Sequence, residues 1–157
     1  MGADIHSLVE IRKDGKWEPV NEAIWPPDED ELDLYGNKPY SEPLRVRRYG
    51  LFGWLANVRN YSCVEPLAPP RGLPRDCADT TAKRFDRSYY YHSWFTLAEL
   101  LAVDYSREIL DWREARSKSD ATSRVLRDLL GDEYMQMLDV MKTLGAPDDV
   151  RIIFAFD

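Results

Sequence analysis

Asp4 and His6 stand two residues apart in a stretch of alternating character, so on an extended strand their side chains share one face, and Glu10 continues it. An imidazole beside a carboxylate suits acid–base chemistry near neutral pH. The chain has one other histidine, His92, in the run Tyr89-Tyr90-Tyr91-His92-Ser93-Trp94. Asp4, His6 and His92 together would supply the two imidazoles and one carboxylate of an open divalent-metal site. Neither HxxxH nor HxH spacing is present, and a plain structural role is the competing reading, with Asp4 and His6 bonding each other or a turn at a sheet edge.

The second group is basic. Arg45-Val46-Arg47-Arg48 precedes a stretch of helical spacing, and Arg59 stands at its other end. Guanidinium forks match phosphate and carboxylate geometry, and a helix N-terminus adds exposed N–H donors. A phosphate-bearing small molecule would suit that arrangement. Salt bridges to the five acids within Asp28 to Asp33 would equally absorb it. Pro69-Pro70-Arg71-Gly72-Leu73-Pro74 presents Arg71 from a stiff backbone. Tyr90 and Trp94 could stack on a base or ring, or pack at a rim. No glycine-rich phosphate loop, G-x-S-x-G, H-E-x-x-H or C-x-x-C is present, and neither Cys63 nor Cys77 has a local activator.

These groups need elements to position them. Alternation over Ala3 to Arg12 predicts a strand with Ala3, Ile5, Ser7, Val9 and Ile11 on its buried face. Asp14-Gly15 predicts a two-residue hairpin turn, and Lys16 to Val20 the returning strand, with Pro19 marking a sheet edge. Residues 21–43, acidic and interrupted by prolines, read as a long surface loop. Leu51, Phe52, Leu55, Ala56 and Val58 predict a helix across Tyr49 to Arg59, and a short helix covers Ala78 to Arg87. Thr96 with Glu99 is a capping box that starts a helix near Leu97. Further helices fit Ser106 to Ala115, Asp120 to Leu130 and Glu133 to Leu144, the last two stopped by Gly131 and Gly145. Val150 to Phe156 is apolar on both faces and predicts an interior strand. The expected fold is α+β: one domain over residues 1–157, with a small, mostly antiparallel sheet holding the N- and C-terminal strands. Several helices from the middle of the chain pack on it.

Composition agrees with a folded domain. A length of 157 residues suits one domain, and a hydrophobic fraction of 44% suffices for a core. No apolar run approaches the ~18 residues of a membrane span, and Asp4 and His6 replace the basic start of a signal peptide. Two cysteines make no disulfide framework. A soluble, cytoplasmic protein with no membrane partner is expected. The net charge of −7 argues against holding long nucleic acid. Yet Arg45 to Arg87 holds nine basic and four acidic residues, so a local anion site is compatible with that charge. An aromatic content of 12% leaves a homo-oligomer open.

Met1-Gly2-Ala3-Asp4-Ile5-His6, with Gly15-Lys16-Trp17 after it, resembles the opening of a family of small phage and prophage proteins that typically begin Met-Gly-Cys-Asp-Ile-His. The resemblance continues through Arg47 to Phe52, Pro70 to Pro74, His92 to Leu97 and Val150 to Asp157, nearly the whole chain. Ala3 departs from the cysteine common in that family, so chemistry at that cysteine is not essential here. The resemblance implies a phage setting, a host-cell cytoplasmic location and a counter-defence or host-takeover role, without a mechanism.

The expectation is therefore a phage-type binding protein that sequesters an anionic, nucleotide-like immune-signalling molecule. Arg47, Arg48, Arg59 and Arg71 would hold phosphate or carboxylate, His6 and His92 would line the site, and Tyr90 or Trp94 would stack. One alternative is a phosphoester hydrolase, with Asp4, His6 and His92 as metal ligands or as acid and base. Another is an acidic protein that inhibits a host enzyme by direct contact. The missing nucleophile signature leans away from an enzyme.

Overall fold

The computed structural model describes residues 2–157. Strand β1 (Ile5–Lys13) turns through Asp14 and Gly15 into β2 (Lys16–Pro19), as the alternation and the Asp-Gly pair demand. Helix α1 (Asn21–Ile24) follows, and then residues 25–48 run without helix or strand. One buried side chain ties this long loop down. Asn21 accepts from the Val9 N–H at 2.8 Å and donates to the carbonyls of Ser7 and Ser41 at 2.9 and 2.6 Å. Both ends of the loop are thereby fixed to β1.

Helices α2 (Tyr49–Ala56) and α3 (Asp79–Arg84) come next, followed by β3 (Tyr90–Thr96) and α4 (Leu97–Leu101). The capping box forms as expected, with the Thr96 side chain accepting from the Glu99 N–H at 3.2 Å. A small hairpin, β4 (Glu108–Asp111) with β5 (Thr122–Val125), leads into α5 (Leu126–Leu130), α6 (Asp132–Met141) and β6 (Val150–Phe156).

The main sheet has the order β2-β1-β6-β3 and is antiparallel throughout. β6 is interior and buried along its whole length, and it pairs with β1 from Ile5↔Phe156 to Ile11↔Val150. The termini are thus neighbours in one sheet, and the α+β expectation holds. On one face Val9, Phe95, Ile152, Phe154 and Phe156 pack against apolar residues of α2, α4, α5 and α6. The other face carries Leu8, Ile153 and Ala155 under Phe85, with Leu73, Cys77, Tyr89 and Trp94 around them. Among the described residues no helix is long and apolar enough to cross a membrane.

Two expectations fail in the middle of the chain. Ser106 to Ala115 is not a helix but contains β4, and the first part of Asp120 to Leu130 is β5. Ile109 and Leu110 are too short an apolar stripe to bury a helix. Asp111 turns inward instead to meet Arg124 on the facing strand at 2.9 Å. The tyrosine run is also a strand, its alternation broken where the register slips between Tyr90 and Ser93 and Tyr91 adopts φ 54°.

Candidate anion site

Arg48 is the N-cap residue of α2, but its side chain does not cap the helix. It crosses Gly131 instead, donating from Nε to the Leu129 carbonyl at 2.9 Å and from its terminal nitrogen to the Asp128 carbonyl. Gly131 permits this crossing, because a Cβ there would lie 2.7 Å from Arg48 Nε and its φ is +91°. Gly50 allows the matching approach of α2 to α5, since a Cβ would meet Leu129 Cδ1 at 2.6 Å. The first N–H groups of α2 consequently have neither a side-chain cap nor an acidic first-turn residue beside them.

The start of α2 borders a cleft of about 460 Å³ lined by Arg47, Arg48, Tyr49, Gly50, Ser62, Asp111, Arg113, Arg124 and Leu129. The β4–β5 hairpin supplies the far wall. Arg47 grips Asp4 with two bonds of 2.8 Å, and Arg124 holds Asp111. Arg113 has a loose contact of 4.0 Å with the exposed Glu114, and its guanidinium lies 5.8 Å from the Tyr49 ring centre. The hydrogen bond from Arg47 holds the Asp4 carboxyl below its usual range. Burial works against ionised Asp111, but the Arg113 N–H and the side chains of Arg124 and Ser62 outweigh it and lower its pKa. The lining thus holds four arginines and one carboxylate, Asp111, which bonds Arg124, while Arg47 is paired with Asp4 and Arg48 with backbone carbonyls of α5.

Of the residues singled out from sequence, Arg47 and Arg48 line this cleft. Arg59 stands outside the lining and donates to the Tyr61 hydroxyl at 3.2 Å. Arg71 is elsewhere, in a two-bond pair with Glu99 at 2.8 and 2.6 Å and 4.6 Å from the Phe95 ring centre. Trp94 lies against the guanidinium groups of Arg71 and Arg151, at 5.2 and 5.6 Å. Tyr90 is half-exposed and edge-on to Tyr91 at 5.3 Å.

Asp4, His6 and His92 do not assemble a metal centre. Among the described residues no three His, Cys, Asp or Glu side chains form such a group. Asp4 is committed to Arg47, and His6 sits between two acids on opposite ring nitrogens. Glu42 lies 3.1 Å from Nδ1, and Asp157 lies 3.1 Å from Nε2, off the N–H line and so an ion-pair partner. His92 lies edge-on to Phe85 at 6.4 Å, beside Gly72, Leu73 and Asp86. Glu10 is likewise structural: Arg151 donates to one oxygen, and Thr81 Oγ1 with the Ala78 N–H donates to the other.

Arg113 and Arg124 are the cleft residues that sequence reasoning missed. Their basic character was visible, but their position depends on a hairpin that the helical reading concealed. Comparison with protein-family models, curated proteins and solved structures finds no match.

Proposed function

We propose that the chain binds a small phosphate-bearing, nucleotide-like anion in the arginine cleft and holds it without turning it over. The observation that carries this reading is the convergence of Arg47, Arg48, Arg113 and Arg124 on one cleft at the N-terminus of α2. Guanidinium forks and first-turn N–H groups both favour phosphate oxygens, and the volume suits a small molecule. Holding is favoured over hydrolysis because, of the three acid–base candidates, Asp4 is paired with Arg47, His6 with Glu42 and Asp157, and His92 lies outside the cleft lining, edge-on to Phe85. With the phage resemblance, the reading becomes sequestration of an anionic signalling nucleotide in host cytoplasm as counter-defence.

Isothermal titration against mononucleotides, cyclic dinucleotides and ADP-ribose tests it. At least one should bind, and Arg113→Ala should weaken it by about tenfold or more. No binding across the panel overturns the reading. Turnover of a bound nucleotide in the presence of divalent metal overturns its holding half.

A second reading, contact inhibition of a basic host protein, has its own observation. Leu34 is 99% and Tyr35 88% exposed on the acidic loop. The Asp33 carboxylate fixes their turn by accepting from the N–H groups of Tyr35 and Asn37 at 2.8 and 2.9 Å. Under this reading, replacing both Leu34 and Tyr35 by serine removes inhibition of such a partner while leaving nucleotide affinity unchanged.

A further inference from the structure

The loop after α2 sets an aromatic ring beside the arginine cleft. Asn57, Arg59 and Cys63 all have left-handed backbone, with φ of 58°, 48° and 53°. Three such residues in so short a segment are costly, and side-chain bonds hold the shape. Asn60 donates to the Asn57 side chain at 2.9 Å and to the Val64 carbonyl at 2.8 Å, and it accepts from the Val64 N–H at 3.1 Å. Its side chain also fills the space beside Gly53, where a Cβ would come within 2.5 Å of Asn60 Oδ1.

Tyr61 is the side chain that this loop presents. Its ring meets Tyr49 edge-on at 5.8 Å, its hydroxyl accepts from Arg59, and 48% of the residue is exposed. Tyr49 on one side and Ser62, the next residue along the chain, both line the cleft. Tyr61 itself lies outside the lining and meets its rim through the Tyr49 ring. A simple phosphate would use only the arginines, whereas a ligand carrying a flat ring beyond its phosphates could reach Tyr61 as well.

We infer that Tyr61 is the specificity-determining residue of the cleft, stacking the base of a nucleoside polyphosphate whose phosphates the arginines hold. The inference rests on the anion-binding reading above. Stacking on tyrosine is tolerant of base identity, because every base has a π-face, so Tyr61 distinguishes nucleotides from bare phosphates more than one base from another.

The test pairs probes that share a phosphate chain and differ in the nucleoside: ADP with pyrophosphate, and ATP with tripolyphosphate. In titrations of the wild-type chain, the nucleotide of each pair should bind about tenfold more tightly than its bare counterpart. Tyr61→Ala should erase that gap while leaving pyrophosphate affinity unchanged, which also shows that the variant is folded. Tyr61→Phe keeps the ring and should keep the gap. Equal affinities within each pair for the wild type, or a gap that survives Tyr61→Ala, overturn the role of Tyr61 and leave the anion site standing. Failure of all four probes to bind removes this inference, and failure of the wider nucleotide panel removes the anion reading beneath it.

Discussion

Glu10 and Arg151 face each other across β1 and β6, 0% and 2% exposed. Arg151 gives Glu10 two bonds of 3.0 and 2.7 Å, reaches Asp76 at 2.9 Å and lies 3.8 Å from the Trp17 ring centre. Removing one member of a sealed pair leaves a charge that water cannot reach. Arg151→Met is expected to cost about 3–5 kcal/mol in urea unfolding, and Glu10→Leu added to it should recover only part of that loss, because Thr81 Oγ1 and the Ala78 N–H then lose their acceptor. His6 gives a pH-dependent counterpart. Burial opposes its positive charge, but the hydrogen bond to Glu42 and the negative charges of Glu42 and Asp157 outweigh that and raise its pKa. A raised folded-state pKa contributes stability that is complete below the unfolded value of about 6.5 and is lost as pH climbs through the folded value. Wild type should therefore exceed His6→Asn in stability by more at about pH 6 than at about pH 8.5, as read by denaturant midpoints. An equal difference at both would refute the linkage.

Among the elements, the terminal strands were legible because Ala3 to Arg12 alternates and Val150 to Phe156 is apolar on both faces, patterns that few other structures satisfy. The β4–β5 hairpin was not, because Leu126, Leu129 and Leu130 extend a helical spacing back over residues that are in fact extended. Half of the arginine set followed from chain neighbours, Arg47 and Arg48, before a readable helix. The other half, Arg113 and Arg124, needed the hairpin's register and so could not be placed. The junction of α5 and α6 is where element and site meet. Gly131→Ala puts a Cβ against Arg48 at a φ of +91°, so a loss of about 1–3 kcal/mol in thermal or chemical unfolding is expected. Displacing Arg48 should also weaken anion binding. A variant as stable as the wild type would show that Arg48 moves aside freely.

For the molecule as a whole, the sheet is covered on both faces, by helices on one and by α3 with its flanking loops on the other. β6 is the strand both of these layers rest on, and it bonds to β1 on one side and β3 on the other. Deleting residues 150–157 should leave a chain without cooperative thermal unfolding or dispersed amide resonances, whereas the two serine substitutions at Leu34 and Tyr35 should change stability by no more than about 0.5 kcal/mol. The same order of strands governs how the protein comes into being. On the ribosome, β1, β2 and β3 are all made before β6, so the nascent chain holds strand edges with no partner until residues 150–156 emerge. Until then the growing polypeptide is at its most vulnerable to mispairing and to chaperone capture, and closure of the sheet is a late, single event.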